Sequence, residues 1–170
     1  MLPVLFFAYF SVAIVLFSIF VVISRNPVHS VLWMLLLFFH IAGLYLFLNA
    51  EFMAAIQVII YAGAILVLFL FVVILLNLRE EVRIGRFIGA WPTAITFGIA
   101  LLLILFLSIR SFLSAPPGTH TVEFIKKETH TKALGTLLYT DYLFPFELAS
   151  LILLVAILGA IVLAKRRLKT

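Results

Sequence analysis

Long apolar stretches separated by short polar segments dominate this chain. Five stretches contain at most one charged residue each. At a rise of about 1.5 Å per residue, each stretch forms a helix that covers most or all of a hydrocarbon core of ~30 Å. The pattern therefore predicts an all-α integral membrane protein with five transmembrane helices in a single membrane domain over 1–170. The predicted spans are 2–23, 31–48, 52–76, 87–109 and 143–164.

The third stretch is the longest, and its centre differs from that of an ordinary membrane anchor. At about 1.5 Å per residue it would be roughly 37 Å long as a helix. Near its midpoint Gly63 follows closely after Tyr61 and Gln57. Glycine permits irregular backbone, and the two polar side chains are able to hydrogen-bond carbonyls released from the helix. We expect a local departure from regular α-helix here. The alternative is that Gln57 and Tyr61, which are four residues apart on one face, hydrogen-bond a neighbouring helix.

The composition agrees with a membrane protein and excludes several other classes. Hydrophobic residues make up 66% of the 170 residues and charged residues only 11%, too apolar for one small soluble core. The net charge of +5 comes from residues in short loops and the tail, so it does not form a nucleic-acid-binding stripe. The chain contains no cysteine, which excludes disulfides and thiolate metal sites.

The basic residues also predict an orientation in the membrane. The first loop, the third loop and the tail are more basic than the long fourth loop, and Lys and Arg favour the cytoplasmic side. We therefore expect the N-terminus and the 110–142 loop outside and the C-terminus in the cytoplasm. This long outer loop docks on a partner or is simply solvated, and the sequence leaves both open. The basic residues of the inner side are Arg25, Arg79, Arg83, Arg86, Lys165, Arg166, Arg167 and Lys169, and those of the outer side are Arg110, Lys126, Lys127 and Lys132.

Few residues of this chain are of types that catalyse reactions or bind metals and cofactors. The spans contain no Lys or Arg in their interiors, and no spacing typical of a metal, haem or phosphate site is present. We therefore predict no catalytic site and no bound cofactor in this chain. Glu51 and Glu147 stand at span entrances, where they complement the helix dipole or make polar contacts with a neighbour. His40 is interpreted as a packed residue in preference to a proton relay.

Two segments resemble a known family. One is the run from Glu51 to Asn77, EFMAAIQVIIYAGAILVLFLFVVILLN, and the other is YLFPFELAS from Tyr142, followed by GAIVLA from Gly159. The first resembles the third helix, and the second the fifth helix, of the subunit J or chain 6 family of the proton-pumping NADH:quinone oxidoreductase, complex I. Together they cover about a third of the chain, and the five-span layout fits the remainder.

The resemblance implies a non-redox membrane subunit near the quinone-reducing end of the complex, packed among other membrane subunits in a bacterial inner membrane. NADH, FMN, iron-sulfur clusters and quinone would be bound by partner subunits. In this family the third helix is associated with a π-bulge, which places Tyr61, Gly63 and Gln57 as coupling or gating residues. Two alternatives stay open, a small membrane subunit of a cation/proton antiporter complex and a structural spacer.

Overall fold

The computed structural model describes residues 2–76, 91–112 and 129–165, and within these ranges the regular elements are all helical. We number the helices in chain order. They are α1 Leu2–Ile23, α2 Pro27–Phe47, α3 Glu51–Leu75, α4 Trp91–Phe112, α5 His130–Tyr139 and α6 Leu143–Ala164. The loop that carries Arg79, Arg83 and Arg86, the segment 113–128 and the tail 166–170 lie outside the described residues.

Five of these helices are long and apolar enough to cross a membrane, which confirms the predicted number of spans. The second helix begins at Pro27 and not at residue 31 as predicted. Its earlier start has a local cause, because the Asn26 side chain accepts a hydrogen bond from the Val28 N–H at 3.0 Å. Proline also suits the first helical position, where no intrahelical partner for an N–H exists. The polar residues that follow Pro27 therefore belong to the helix.

The chain divides into two compact units, residues 1–119 and 120–170. In the first unit α2 packs against both α1 and α3. The Phe10 ring of α1 lies directly against Gly43 of α2, where a Cβ atom would be 2.6 Å from Cε1 of that ring. Any larger residue at position 43 would push the Phe10 ring away. Further along the same interface, Phe17 and Phe20 pack their rings against Trp33.

The turn between α2 and α3 has a defined geometry. Asn49 adopts a left-handed conformation with φ of 60°. Its N–H bonds the carbonyl of Leu46 at 3.0 Å, and the N–H of Ala50 bonds the carbonyl of Tyr45 at 2.8 Å. This pair of bonds is a Schellman motif, in which asparagine takes the place that glycine usually occupies. It ends α2 and directs the chain into α3 within three residues.

The second unit is a helical hairpin of α5 and α6. The sequence predicts a connecting loop over 110–142, whereas the structure places the ten-residue helix α5 inside it. Ala133 is buried, and Leu134 and Leu137 are half-buried, while Thr131 and Thr136 are exposed. The Tyr139 ring meets the Phe146 ring of α6 edge to face at 5.2 Å. The apolar face of a short amphipathic helix thus packs on the last span.

Much of the apolar surface of the described helices remains uncovered. Helices α1 and α6 bury none of their residues, and the described residues 92–109 of α4 are exposed throughout. Such faces are suited to hydrocarbon or to the helices of other membrane subunits.

Candidate functional site

The centre of α3 departs from α-helical geometry over nine residues. Gln57–Ile65 is a π-helix between the α-helical parts Glu51–Ile56 and Leu66–Leu75. The N–H of Gln57 still bonds the carbonyls of Met53 and Ala54, whereas the N–H of Leu66 bonds the carbonyl of Tyr61, five residues back. The departure expected from Gly63 and its polar neighbours is confirmed, and the structure shows it to be longer than a single turn.

The π segment changes which side chains face α2. An α-helix returns to the same face every three or four residues. The step from Gln57 to Ala62 is five, so one additional residue is inserted into the face at this point. Leu66 follows after four residues, as in an ordinary α-helix. The buried residues of α3 are Ala54, Gln57, Ala62, Leu66 and Val73.

Gln57 and Tyr61 therefore have different surroundings, although they are four residues apart. Gln57 is only 7% exposed, the one polar residue among the buried side chains of the described ranges, whereas Tyr61 is 45% exposed. The expectation that both lie on one face assumed a regular α-helix and does not describe the π segment. Tyr61 lies at the margin of the buried face, where its ring meets that of Phe38 of α2 edge to face at 5.9 Å.

Gly63 lies on the exposed side of the π segment. A Cβ atom built on it would be 3.3 Å from the carbonyl oxygen of Val58, five residues back along the helix. This contact is tighter than most Cβ contacts, so alanine would require a shift of a few tenths of an ångström. A branched side chain would place further atoms beside the same carbonyl. The space beside Gly63 is therefore limited by the backbone of its own helix and not by a side chain of another helix.

Glu51 and Glu147, the two carboxylates at span entrances, lie outside the π segment and have different surroundings. Glu51 is exposed in the first turn of α3, where a negative charge favours the helix dipole. Glu147 is exposed on α6, in the other unit, four residues after that helix begins. Within the described ranges neither carboxylate forms an ion pair. The hydroxyl of Ser150 donates to the backbone carbonyl of Glu147 at 2.7 Å, so it serves the helix and not the carboxylate.

Sequence reasoning found the residues of the π segment and missed the side chain that faces them. Phe38 is one of many apolar residues in α2, and no local pattern distinguishes it. Its contact with Tyr61 follows only from the packing of α2 on α3. In the described parts of the chain, no group of three or more His, Cys, Asp or Glu residues is placed to hold a metal ion.

Comparison with known proteins places this chain in a family. The family model of NADH-ubiquinone/plastoquinone oxidoreductase chain 6 matches residues 17–163. NADH-quinone oxidoreductase subunit J of Rhodobacter capsulatus is 38% identical over 162 residues, which are 94% of this chain and 80% of that protein. Subunit J of Rickettsia typhi is 37% identical over 167 residues, 96% of this chain and 80% of that protein.

A relative from a plant extends the same comparison. NADH-ubiquinone oxidoreductase chain 6 of Marchantia polymorpha is 40% identical over 174 aligned positions, 96% of this chain and 87% of that protein. The match of the family model includes the π segment, three of the five membrane-spanning helices in full and all but the last residue of α6. The resemblance found in the two helix motifs is thus confirmed over most of the chain. This chain belongs to the chain 6 (subunit J) family of NADH-quinone oxidoreductase membrane subunits.

Proposed function

We propose that this chain is a non-redox membrane subunit of a proton-pumping NADH:quinone oxidoreductase, and that α3 helps to couple quinone reduction to proton translocation. NADH, FMN, iron-sulfur clusters and quinone are then handled by partner subunits, with which this chain packs in a bacterial inner membrane. The relatives described above carry the name of that oxidoreductase. The coupling role is drawn from the geometry of α3.

The observation that carries the proposal is the five-residue step between Gln57 and Ala62 on the face that packs against α2. π-helical hydrogen bonds are less common than α-helical ones, and short π segments are frequent at functional sites. If the segment relaxed to α-helix, the inserted residue would be taken up by the helix. Tyr61, four residues after Gln57, would then rotate toward the position that Ala62 now holds.

The same relaxation would act on the rest of the helix. A shift of one residue rotates one half of an α-helix relative to the other by about 100°. Leu66, now buried, would leave the face on α2, and exposed residues such as Phe69 would change their neighbours. Large apolar side chains moving in this way open or close a path for water through the membrane. A change of backbone hydrogen bonds over two turns thus becomes a gate for protons.

Gly63 provides the test. Gly63→Val places a branched side chain beside the Val58 carbonyl and disfavours the π form, and Gly63→Ala does so more weakly. We expect both variants to insert and to oxidise NADH with an artificial electron acceptor at the normal rate. Quinone-linked turnover and proton translocation should fall together, by about tenfold for valine, which is a barrier change of about 1.4 kcal/mol, and less for alanine.

Gly98→Val is the matched control. Gly98 is a glycine of another span, and a Cβ atom there would have no neighbour within 4 Å. This variant should pump protons at the normal rate. Because Gly63 is exposed in this chain, the amount of intact complex must be measured for each variant. Normal assembly of Gly63→Val with normal quinone reductase activity and proton pumping would show that α3 serves packing alone.

A further inference from the structure

A second polar pair lies inside the membrane-long helices, away from the π segment. Tyr9 of α1 and His40 of α2 meet across the interface of these helices, with the Tyr9 Oη atom 3.3 Å from Nε2 of His40. The other ring nitrogen, Nδ1, lies 2.8 Å from the backbone carbonyl oxygen of Leu36. Both nitrogens of this histidine therefore have partners within the chain.

The partners determine the form of the imidazole ring. A backbone carbonyl only accepts hydrogen bonds, so Nδ1 carries the proton that is donated to Leu36. In a neutral ring Nε2 is then the acceptor, and the Tyr9 hydroxyl donates to it. A charged ring would satisfy the same geometry, but it would place a cation inside an apolar span, which is costly. The contact with the Leu36 carbonyl thus places a proton on Nδ1 and leaves Nε2 to pair with the Tyr9 hydroxyl.

The surroundings explain why the pair matters. Tyr9 is 58% exposed on the surface of α1, where hydrocarbon or another subunit covers it and water is scarce. An unpaired hydroxyl costs free energy in such surroundings, so the hydrogen bond to His40 favours one placement of α1. The His40 ring is also held by the rings of Phe10 at 6.2 Å and Phe17 at 4.8 Å. Phe10 in turn packs on the backbone at Gly43, three residues after His40.

We propose that the Tyr9–His40 pair is a neutral lock that sets the position of α1 along α2, and that His40 is a positioning residue and not a carrier of protons. Helix α2 bears Phe38, which contacts Tyr61 of the π segment. When α1 and α2 are held in one position, Phe38 provides a fixed contact surface for Tyr61. This last step rests on the proposed function, whereas the lock itself does not.

The experiment measures the lock and the coupling separately. Phe6 of α1 and Phe47 of α2 have ring centroids 6.4 Å apart near the ends of their helices. In this cysteine-free chain, the pair Phe6→Cys and Phe47→Cys reports the register of α1 on α2 through its cross-linking yield in the intact complex. The yield and the protons moved per NADH are then measured in Tyr9→Phe, His40→Leu, the double variant and His40→Gln.

We expect Tyr9→Phe and His40→Leu each to lower the cross-linking yield about threefold or more, as hydrogen bonds between membrane helices allow. The double variant should lose no more than either alone, because both remove the same bond. His40→Gln keeps an acceptor for the Tyr9 hydroxyl but does not ionise, so it should retain both the yield and the coupling. Tyr45→Phe, which removes a hydroxyl from α2 outside the pair, is the control and should resemble the parent.

Three results would overturn parts of this proposal. Parental cross-linking in Tyr9→Phe and His40→Leu would show that the pair does not set the register. Loss of proton translocation in His40→Gln with intact cross-linking would make His40 a proton carrier. Reduced cross-linking with full proton translocation would show that the lock does not contribute to coupling through Tyr61. The role of the π segment would then be tested by the Gly63 variants alone.

Discussion

Polar side chains within the apolar helices show how one residue depends on its immediate neighbours. His40 has partners for both ring nitrogens inside the chain, and Gln57 is buried on the face that packs against α2. Glu147 differs from both, because it is exposed on an apolar span without an ion pair in the described ranges. A carboxylate at that place in a membrane helix is costly unless a donor from elsewhere meets it.

We expect the Glu147 carboxylate to make a polar contact with a neighbouring subunit. Glu147→Gln keeps a hydrogen-bonding group, so the complex should assemble nearly as well as the parent. Glu147→Ala should leave a donor on a neighbouring subunit without its partner, at a cost of about 1 to 3 kcal/mol. The measurement is the amount of intact complex that survives increasing detergent. Ser150→Ala is the control, since that hydroxyl bonds only the helix backbone. Parental amounts of complex in Glu147→Ala would assign the carboxylate to the helix dipole alone.

Among the elements, α3 is two α-helical pieces joined by a segment with one residue too many. Steps of three, five, four and seven residues separate the side chains that it buries. Because of the inserted residue, Gln57 and Leu66 both face α2, although the spacing between them is not α-helical. The proposed coupling requires a second register, in which this segment is regular α-helix.

A deletion tests this description of α3. Removing Ala64, a small exposed residue of the π segment, should allow the segment to become regular α-helix with Leu66 and Val73 still facing α2. The complex should assemble and reduce an artificial acceptor, and its proton translocation should fall about tenfold or more if the π form is required. Removing Leu68, which lies in the α-helical part, should instead rotate Val73 away from α2 by about 100° and reduce assembly. Equal effects of the two deletions would contradict a single inserted residue.

The elements also show what could be predicted from the sequence. The five spans follow from the absence of charge over long stretches, and the irregular centre of α3 follows from Gly63 near Tyr61. Helix α5 was missed because its ten residues mix Thr and Lys with Leu, and a helix this short is stabilised mainly by its packing on α6. The different exposure of Gln57 and Tyr61 could not be predicted, because a face counted at 3.6 residues per turn does not apply across a π segment.

For the whole molecule, orientation in the membrane is the property that the basic residues predict. We expect the 110–142 loop outside and Thr170 in the cytoplasm. Single cysteines at Ser114 and Thr170, both outside the described residues, can be labelled with an impermeant thiol reagent because the parent chain has no cysteine. Intact cells should label Ser114→Cys alone, and permeabilised cells should label both. Labelling of Thr170→Cys alone in intact cells would reverse the orientation.

The bare faces of α1 and α6 have a consequence for the life of the protein in the cell. Neither helix fully buries a residue within this chain, although α1 packs against α2. We expect contacts with other membrane subunits to supply further free energy that holds these helices in place. A copy without those subunits should open more easily and expose its loops to membrane proteases. We therefore expect the amount of this protein in a cell to follow the supply of its partner subunits, with excess copies degraded.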